Sequence, residues 1–494
     1  MYLKLIFFLC VNVILVFGHK GNRNIVFPDS FKFGAATSSY QIEGAWNVSG
    51  KSESVWDYYA HTFPEWIKDG SNGDIACDSY NQIDVDIANL KLLNVNFYRF
   101  SLNWPRILPS ARISDLNPDG LRYYNELINK LIDNGIEPMI TLYHWELPQS
   151  IQDLGGWSNR LVVDYFVHFA RVAFEEFGDR VKTWITINEP FSICSMSYEE
   201  QFLAPFIHSE GVGTYQCGHN LLLAHAAAYH LYQDEFRARQ GGEVGFTMEN
   251  PWHVPLDPNN PDDIIAAERA TNFHFDWFAN PIYSKDGDYP PSMRTRIDNY
   301  SSLQGYAHSR LPTFTPEEVD YIRGTADFLG LNHYTSHLST LSENQTPDDN
   351  PSYDNDLGVV LTADPAWNQT ARDTFTVYPH GLRLLLNYIK ETYDNPKVYI
   401  TENGYAGFQN ETLNDQERIW YYQGYLTSVL EAIEIDECNV QSYTAWSFMD
   451  NYEWSDGYTL RFGMFYVDFE DPKRKRTPKD SAYVYQNIIN RRYL

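Results

Sequence analysis

Eight short β-rich runs alternate with helical stretches along the chain, and at or just past the end of seven of them a polar or aromatic residue stands out. The runs are Phe31–Thr37, Phe97–Leu102, Pro138–Tyr143, Thr183–Ile187, Glu243–Met248, Phe328–Leu331, Val398–Thr401 and Tyr443–Phe448. Between them lie amphipathic stretches such as Gly120–Asn134, Leu161–Phe177 and Gln216–Arg237. In the last, Leu221, Leu222, His225, Ala228, Tyr229 and Tyr232 recur at helical spacing. Strand–helix alternation repeated eight times predicts a (β/α)8 TIM barrel. Gln41, Arg99, His144, Asn188 with Glu189, Asn332 with Tyr334, Glu402 and Trp446 stand at or just past the strand ends. In such a barrel those ends form one rim, so residues far apart in the chain meet around one pocket.

Two connections, after the fifth and sixth runs, span roughly 80 and 65 residues, far beyond ordinary βα loops. They are expected to be insertions that build the pocket walls and entrance. No Ser/Gly-rich, Pro-rich or low-complexity tract divides the 494 residues, so 19–494 reads as a single domain.

Residues 1–18 start with a charge at Lys4, continue as an apolar run from Leu5 to Phe17 and close on Gly18. That pattern reads as a secretory signal peptide and predicts a secreted, extracellular protein; the run is short for a membrane span. With a signal peptide, the five Asn-X-Ser/Thr sites at Asn47, Asn299, Asn344, Asn368 and Asn410 become candidates for glycosylation. Cys10 would leave with the signal. Cys77, Cys194, Cys217 and Cys438 remain, with three complete pairings open to them. Cys194 and Cys217 flank one loop and form the preferred bridge. No spacing resembles a zinc site, and no metal is expected.

The formal charge of −28, from 65 acidic against 37 basic residues, argues against nucleic acid or anionic membranes as partners. Oligomeric state leaves no mark in the sequence. Aromatic residues make up 16% of the chain, which suits stacking on the apolar faces of sugars but also suits a core.

Two strand ends carry the chemistry. Thr186-Ile187-Asn188-Glu189-Pro190 and Ile400-Thr401-Glu402-Asn403-Gly404 each deliver a carboxylate to the rim. A carboxyl that holds a proton, opposite one that is ionised, is what cleavage of a glycosidic bond requires. Such a pair supplies both acid and nucleophile, so no cofactor is expected.

Ordered motifs then make the reading specific. Phe33-Gly34-Ala35-Ala36-Thr37-Ser38-Ser39-Tyr40-Gln41-Ile42-Glu43-Gly44 comes first, followed by Tyr98-Arg99-Phe100-Ser101, His144-Trp145 and Asn188-Glu189-Pro190. Glu402-Asn403-Gly404 and Trp446-Ser447-Phe448-Met449-Asp450-Asn451-Tyr452-Glu453-Trp454 complete the set. Over essentially the whole mature length the chain resembles glycoside hydrolase family 1, the β-glucosidase-like retaining enzymes, and in texture its insect members. The resemblance implies Glu189 as general acid/base and Glu402 as nucleophile. Arg99 beside Glu402 would favour its ionised form, and Tyr334 would donate to the same carboxylate. It implies a sugar pocket of Gln41, His144, Asn188, Asn332, Trp446, Glu453 and Trp454. Members acting on 6-phosphorylated sugars carry a cationic sequence in place of Glu453-Trp454, so the implied sugar is unphosphorylated glucose, galactose or fucose in β linkage.

The chain departs from the family twice. The loop Ser197–Pro205 lacks the usual glycines, and Thr374 stands where a Trp is common, five residues before Pro379-His380-Gly381. Both changes fall where the aglycone should sit. A thioglucosidase acting on sulfated glucosinolates is the alternative. Pro190 to Glu210 offers such a sulfate no Lys or Arg, and plant-type thioglucosidases lose the acid/base Glu that this chain keeps. A non-catalytic carbohydrate binder is the remaining alternative, and it would be expected to lack one carboxylate.

Overall fold

A computed structural model describes residues 26–494; the expected signal peptide lies outside the described residues. Eight parallel strands close into a barrel: β1 (Lys32–Ala36), β2 (Phe97–Ser101), β3 (Glu137–Tyr143), β4 (Thr183–Asn188), β5 (Glu243–Glu249), β6 (Phe328–Asn332), β7 (Val398–Asn403) and β8 (Val440–Trp446). Each pairs with the next in sequence, and β8 returns to β1 with Ala36 opposite Trp446. The expected TIM barrel is therefore the observed fold.

Alternation within a strand sorts its residues between two environments. All of β2 is buried: Tyr98 and Phe100 point outward under the helices, and Phe97, Arg99 and Ser101 point into the barrel. Phe97, Met139, Ile185 and Phe328 form a small apolar cluster of their own, closed by Tyr399. This cluster plugs the barrel below Arg99, so the functional rim opens at the other end. Gly34 and Gly245 make the plug possible. A Cβ at either would lie 2.3 Å from the ring of Phe97 or Phe328, respectively.

The outer layer follows from amphipathic stripes. Helix α1 (Ile83–Leu93) follows β1 and α2 (Pro118–Asp133) follows β2. Asn117 caps α2 by accepting from the Asp119 amide, Pro118 takes the first helical position, and Tyr123, Tyr124, Leu127, Ile128 and Leu131 form the buried face. Next come α3 (Val162–Phe177), α4 (Pro190–Tyr198) and α5 (Gly213–Leu231), with α3 packed on α5. The insertion after β5 holds α6 (Pro261–Thr271), which runs through a π-type turn at Asn272–Asp276 into α7 (Trp277–Tyr283). Helices α8 (Pro379–Thr392), α9 (Gln416–Glu434) and α10 (Asp480–Arg491) complete the ring, each packed on the next.

The last strand differs most from its expected span, starting at Val440 and ending at Trp446. Phe448 prolongs the apolar run past the strand because it is buried in the loop beyond. A disulfide joins Cys194 in α4 to Cys217 in α5, their Cα atoms 5.5 Å apart, while Cys77 and Cys438 are free and buried. Among the described residues no helix is long and apolar enough to cross a membrane.

Candidate active site

The C-terminal strand ends surround a cavity of about 440 Å³, a size ordinary for small-molecule sites. Glu189 and Glu402 both line it. Glu189 follows β4 directly and takes a left-handed conformation, φ 51°, before Pro190 starts α4. A non-glycine residue in that region is strained by about 1–3 kcal/mol, and such residues cluster where geometry matters to function.

The two carboxyl groups have different partners. Glu402 Oε1 accepts from Arg99 Nη1 at 2.6 Å, and Oε2 accepts from the Tyr334 hydroxyl at 2.6 Å. Arg99 is itself fixed, donating to Thr141 Oγ1, Thr401 O and Asn188 Oδ1. Glu189 has no cation against it. Its Oε1 accepts from Asn332 Nδ2 at 2.7 Å and its Oε2 contacts Ser192 Oγ at 3.0 Å.

Burial raises both carboxyls above the ordinary range, but by different routes. For Glu402 the rise is opposed by the Arg99 charge and by hydrogen bonds from Tyr334, Arg99 and Asn332. Arg99 thus pulls as the sequence implied, though burial keeps the net direction upward. For Glu189 burial is reinforced by the charges of Glu249 and Glu402, and only the Asn332 and Ser192 hydrogen bonds oppose it, so the rise is larger. A proton shared by this pair belongs on Glu189.

The other expected residues gather around the same cavity. Asn332 Oδ1 accepts from Thr401, and its amide also reaches Asn188 Oδ1 at 3.1 Å. Asn188 Nδ2 faces His144 Nε2 at 3.3 Å. His144 is held neutral, first by burial and then by the Arg99 charge, and lies nearly parallel to Trp446 and Trp454, 5.8 and 6.0 Å away. Gln41 Nε2 lies 3.3 Å from Glu453 Oε2 and within reach of Asn451 Oδ1 and Tyr452 O. Glu453 is pushed up to about 8, chiefly by burial, against the pull of Arg372. Gln41 lies just behind the cavity; His144, Asn188, Asn332, Trp446, Glu453 and Trp454 line it.

The two insertions do form walls. His274 and Asn250 come from the first, Ala371 to Phe375 from the second, and Tyr334 stacks on Phe375 at 5.3 Å. Both departures from the family pattern reach the cavity, through Phe202 and Leu203 and through Thr374. Among the described residues no group of three or more His, Cys, Asp or Glu could hold a metal ion.

Among the wall residues that sequence reasoning missed, four bear on the chemistry. Glu249 ends β5, the one strand for which no closing residue was named, and applying the strand-end rule there would have found it. His274 is carried on the π-type turn and gives no local signal. Lys68 and Arg372 also line the cavity, from outside the Pro190 to Glu210 stretch that carries no Lys or Arg. Arg372 is engaged by Asp456 at 3.1 Å and Glu453 at 3.5 Å, and Lys68 by Asp456 at 3.3 Å.

Comparison with known proteins accords with this geometry. The model of Glycosyl hydrolase family 1 matches residues 23–493. Myrosinase 1 of Brevicoryne brassicae is 46% identical, covering 94% of this chain and 98% of the relative. The cytosolic beta-glucosidase of Homo sapiens is 43% identical over the same two shares. A rice beta-glucosidase solved in a covalent complex with glucose superposes with a TM-score of 0.88 at 38% identity, covering 93% of this chain and 98% of its own. The chain belongs to glycosyl hydrolase family 1 and is a glycosidase.

Proposed function

We propose that this glycosidase is a retaining β-glucosidase with Glu402 as nucleophile and Glu189 as general acid/base. The observation that carries the reading is the asymmetry of the pair. Glu402 is held by Arg99 and Tyr334, whereas Glu189 has no cation and the larger upward shift. In the first half-reaction Glu402 attacks the anomeric carbon, the bond to the aglycone oxygen breaks, and the Glu189 proton goes to that oxygen. Ester formation removes the charge of Glu402, and Glu189 is left as a carboxylate. It then takes a proton from water, whose oxygen attacks the anomeric carbon and frees Glu402. The sugar is held by hydrogen bonds with Gln41, His144, Asn188, Asn332, Glu453 and Trp454, over Trp446. Glu453 favours an unphosphorylated glucoside, with galactosides and fucosides as secondary substrates.

The rice relative's covalent glucose complex agrees with retention. The test is Glu402→Ala assayed on an activated aryl β-glucoside with azide. Rescue giving the α-glucosyl azide is expected; a folded variant without rescue removes Glu402 as nucleophile.

The similarity to a myrosinase keeps an S-glucoside reading in view. Against it, Arg372 and Lys68 are occupied by Asp456 and Glu453, and Glu200 and Glu249 add acid to the wall, so an anionic aglycone finds no free cation among them. A panel of O- and S-glucosides ranked by kcat/KM decides, with neutral O-glucosides expected first. Secretion and glycosylation belong to the same proposal. Asn47, Asn299, Asn344, Asn368 and Asn410 are all exposed, as attachment requires.

A further inference from the structure

Glu249 introduces a third carboxyl beside the reacting pair, and its position follows from register. It pairs with Asn332 of β6 across one edge of β5. Across the other edge, the backbone carbonyl of Thr247 accepts from the Glu189 amide at 2.9 Å. The Ser192 hydroxyl, on the first turn of α4, lies between the two acids, 3.0 Å from Glu189 Oε2 and 2.9 Å from Glu249 Oε1.

A serine hydroxyl has one proton to donate. It satisfies one carboxylate and must accept from the other acid, so the Glu189–Ser192–Glu249 chain is satisfied only if one acid is protonated. Asn332 donates into Glu189 Oε1, which leaves Oε2 to carry the proton. With the proton on Glu189 the chain runs one way: Glu189 donates to Ser192, and Ser192 donates to Glu249 Oε1.

Among the described residues no positive charge relieves this arrangement. His274 Nε2 lies 3.4 Å from the same Glu249 oxygen, but burial lowers this histidine to about 3. Burial likewise lowers His337 to about 4 and drives His253 well down, so both are neutral. Besides Glu189 and His274, the titratable groups that interact with Glu249 are Glu402 and Tyr353, neither of them a cation. Burial first, and then the Glu402 charge against the Ser192 hydrogen bonds, push Glu249 up to about 8.

We propose that Glu249 is a positioning residue that acts through Ser192 to keep the proton on Glu189 as pH rises. Two like acids joined by one hydroxyl titrate as a pair. Once the first proton has left, the charge on Glu249 holds the last one on Glu189 Oε2. After Glu189 gives that proton to the aglycone, the same charge makes it a stronger base toward the incoming water.

This inference rests on Glu189 as acid/base, and the experiment separates the two. Glu249→Gln keeps the size and the contact with Ser192 but removes the charge. The readout is the pH profile of kcat/KM per active site, titrated with a mechanism-based fluoroglucoside, so that loss of folded protein does not enter. With an alkyl β-glucoside, whose leaving group needs the proton, the alkaline limb should fall by about one pH unit or more. With a dinitrophenyl β-glucoside, which needs none, it should stay in place. Glu249→Asp should return the limb toward the wild-type position. Unmoved limbs in Glu249→Gln, or equal shifts with both substrates, overturn the role of Glu249. An error in the assignment of Glu189 would show separately, as equal losses on good and poor leaving groups in Glu189→Gln.

Discussion

Arg99 and Glu402, 303 positions apart in the chain, meet at 2.6 Å with both side chains almost wholly buried. Removing one partner of a buried ion pair leaves the other charge uncompensated, at a cost of about 3–5 kcal/mol. Arg99→Met should therefore lower stability and raise Glu402 further. Because the carboxylate is the reactive form, the acid limb of kcat/KM should move to higher pH. Tyr334→Phe removes one hydrogen bond to the same charge and should cost about ten- to a hundredfold in kcat/KM, with a smaller shift of the same sign. An acid limb that stays put in both variants would separate these residues from the ionisation of Glu402.

Glu189→Gln should spare glucosides with good leaving groups and nearly silence those with poor ones, because only the latter need a proton delivered. Small nucleophiles should then speed the second half-reaction, since they need no base. The measurement is a plot of log kcat/KM against leaving-group pKa, which should steepen in the variant.

Stability should fall between pH 6.5 and 8. Glu146 and Glu453 are pushed up to about 8, in each case chiefly by burial, from an ordinary value of 4.5. In that window the folded protein holds protons that the unfolded chain has released, so raising the pH favours unfolding. Buried His225, lowered to about 3, and His333, lowered to about 4, work in the opposite sense, but only below 6.5; above it they are neutral in both states. Thermal melts at pH 6.5 and 8 read the difference directly, and equal Tm values would remove the buried acids as its source.

Replacing Cys194 and Cys217 together by Ser should destabilise the protein by about 2–4 kcal/mol. The loop this bridge closes carries Glu200, Phe202 and Leu203 into the cavity wall. KM should consequently rise more for glucosides with large aglycones than for methyl β-glucoside. Equal effects on both would mean that the bridge supports the barrel and not the wall.

The fold was legible because each barrel strand is a short apolar run cut off by a polar residue, and that signal survives without knowledge of contacts. It failed in detail at β8, where Phe448 is buried beyond the strand and extends the apolar pattern. Glu189, Glu402 and their partners were legible because they sit in or beside strands, where sequence position fixes location on the rim. Arg372, Lys68 and His274 were not. They reach the cavity from inserted segments whose paths depend on packing, and a search near Glu189 in sequence does not find them.

The acids of the cavity are not spread evenly around the barrel. Neighbouring strands β4 to β7 supply Glu189, Glu249, Asn332 and Glu402, and the segments at the ends of β8, β1 and β3 bring Trp446, Gln41 and His144. The acids thus share one arc of neighbouring strands, while much of the surrounding wall arrives on inserted segments. Grafting new versions of those inserts should retarget the protein to other aglycones and leave the socket as it is.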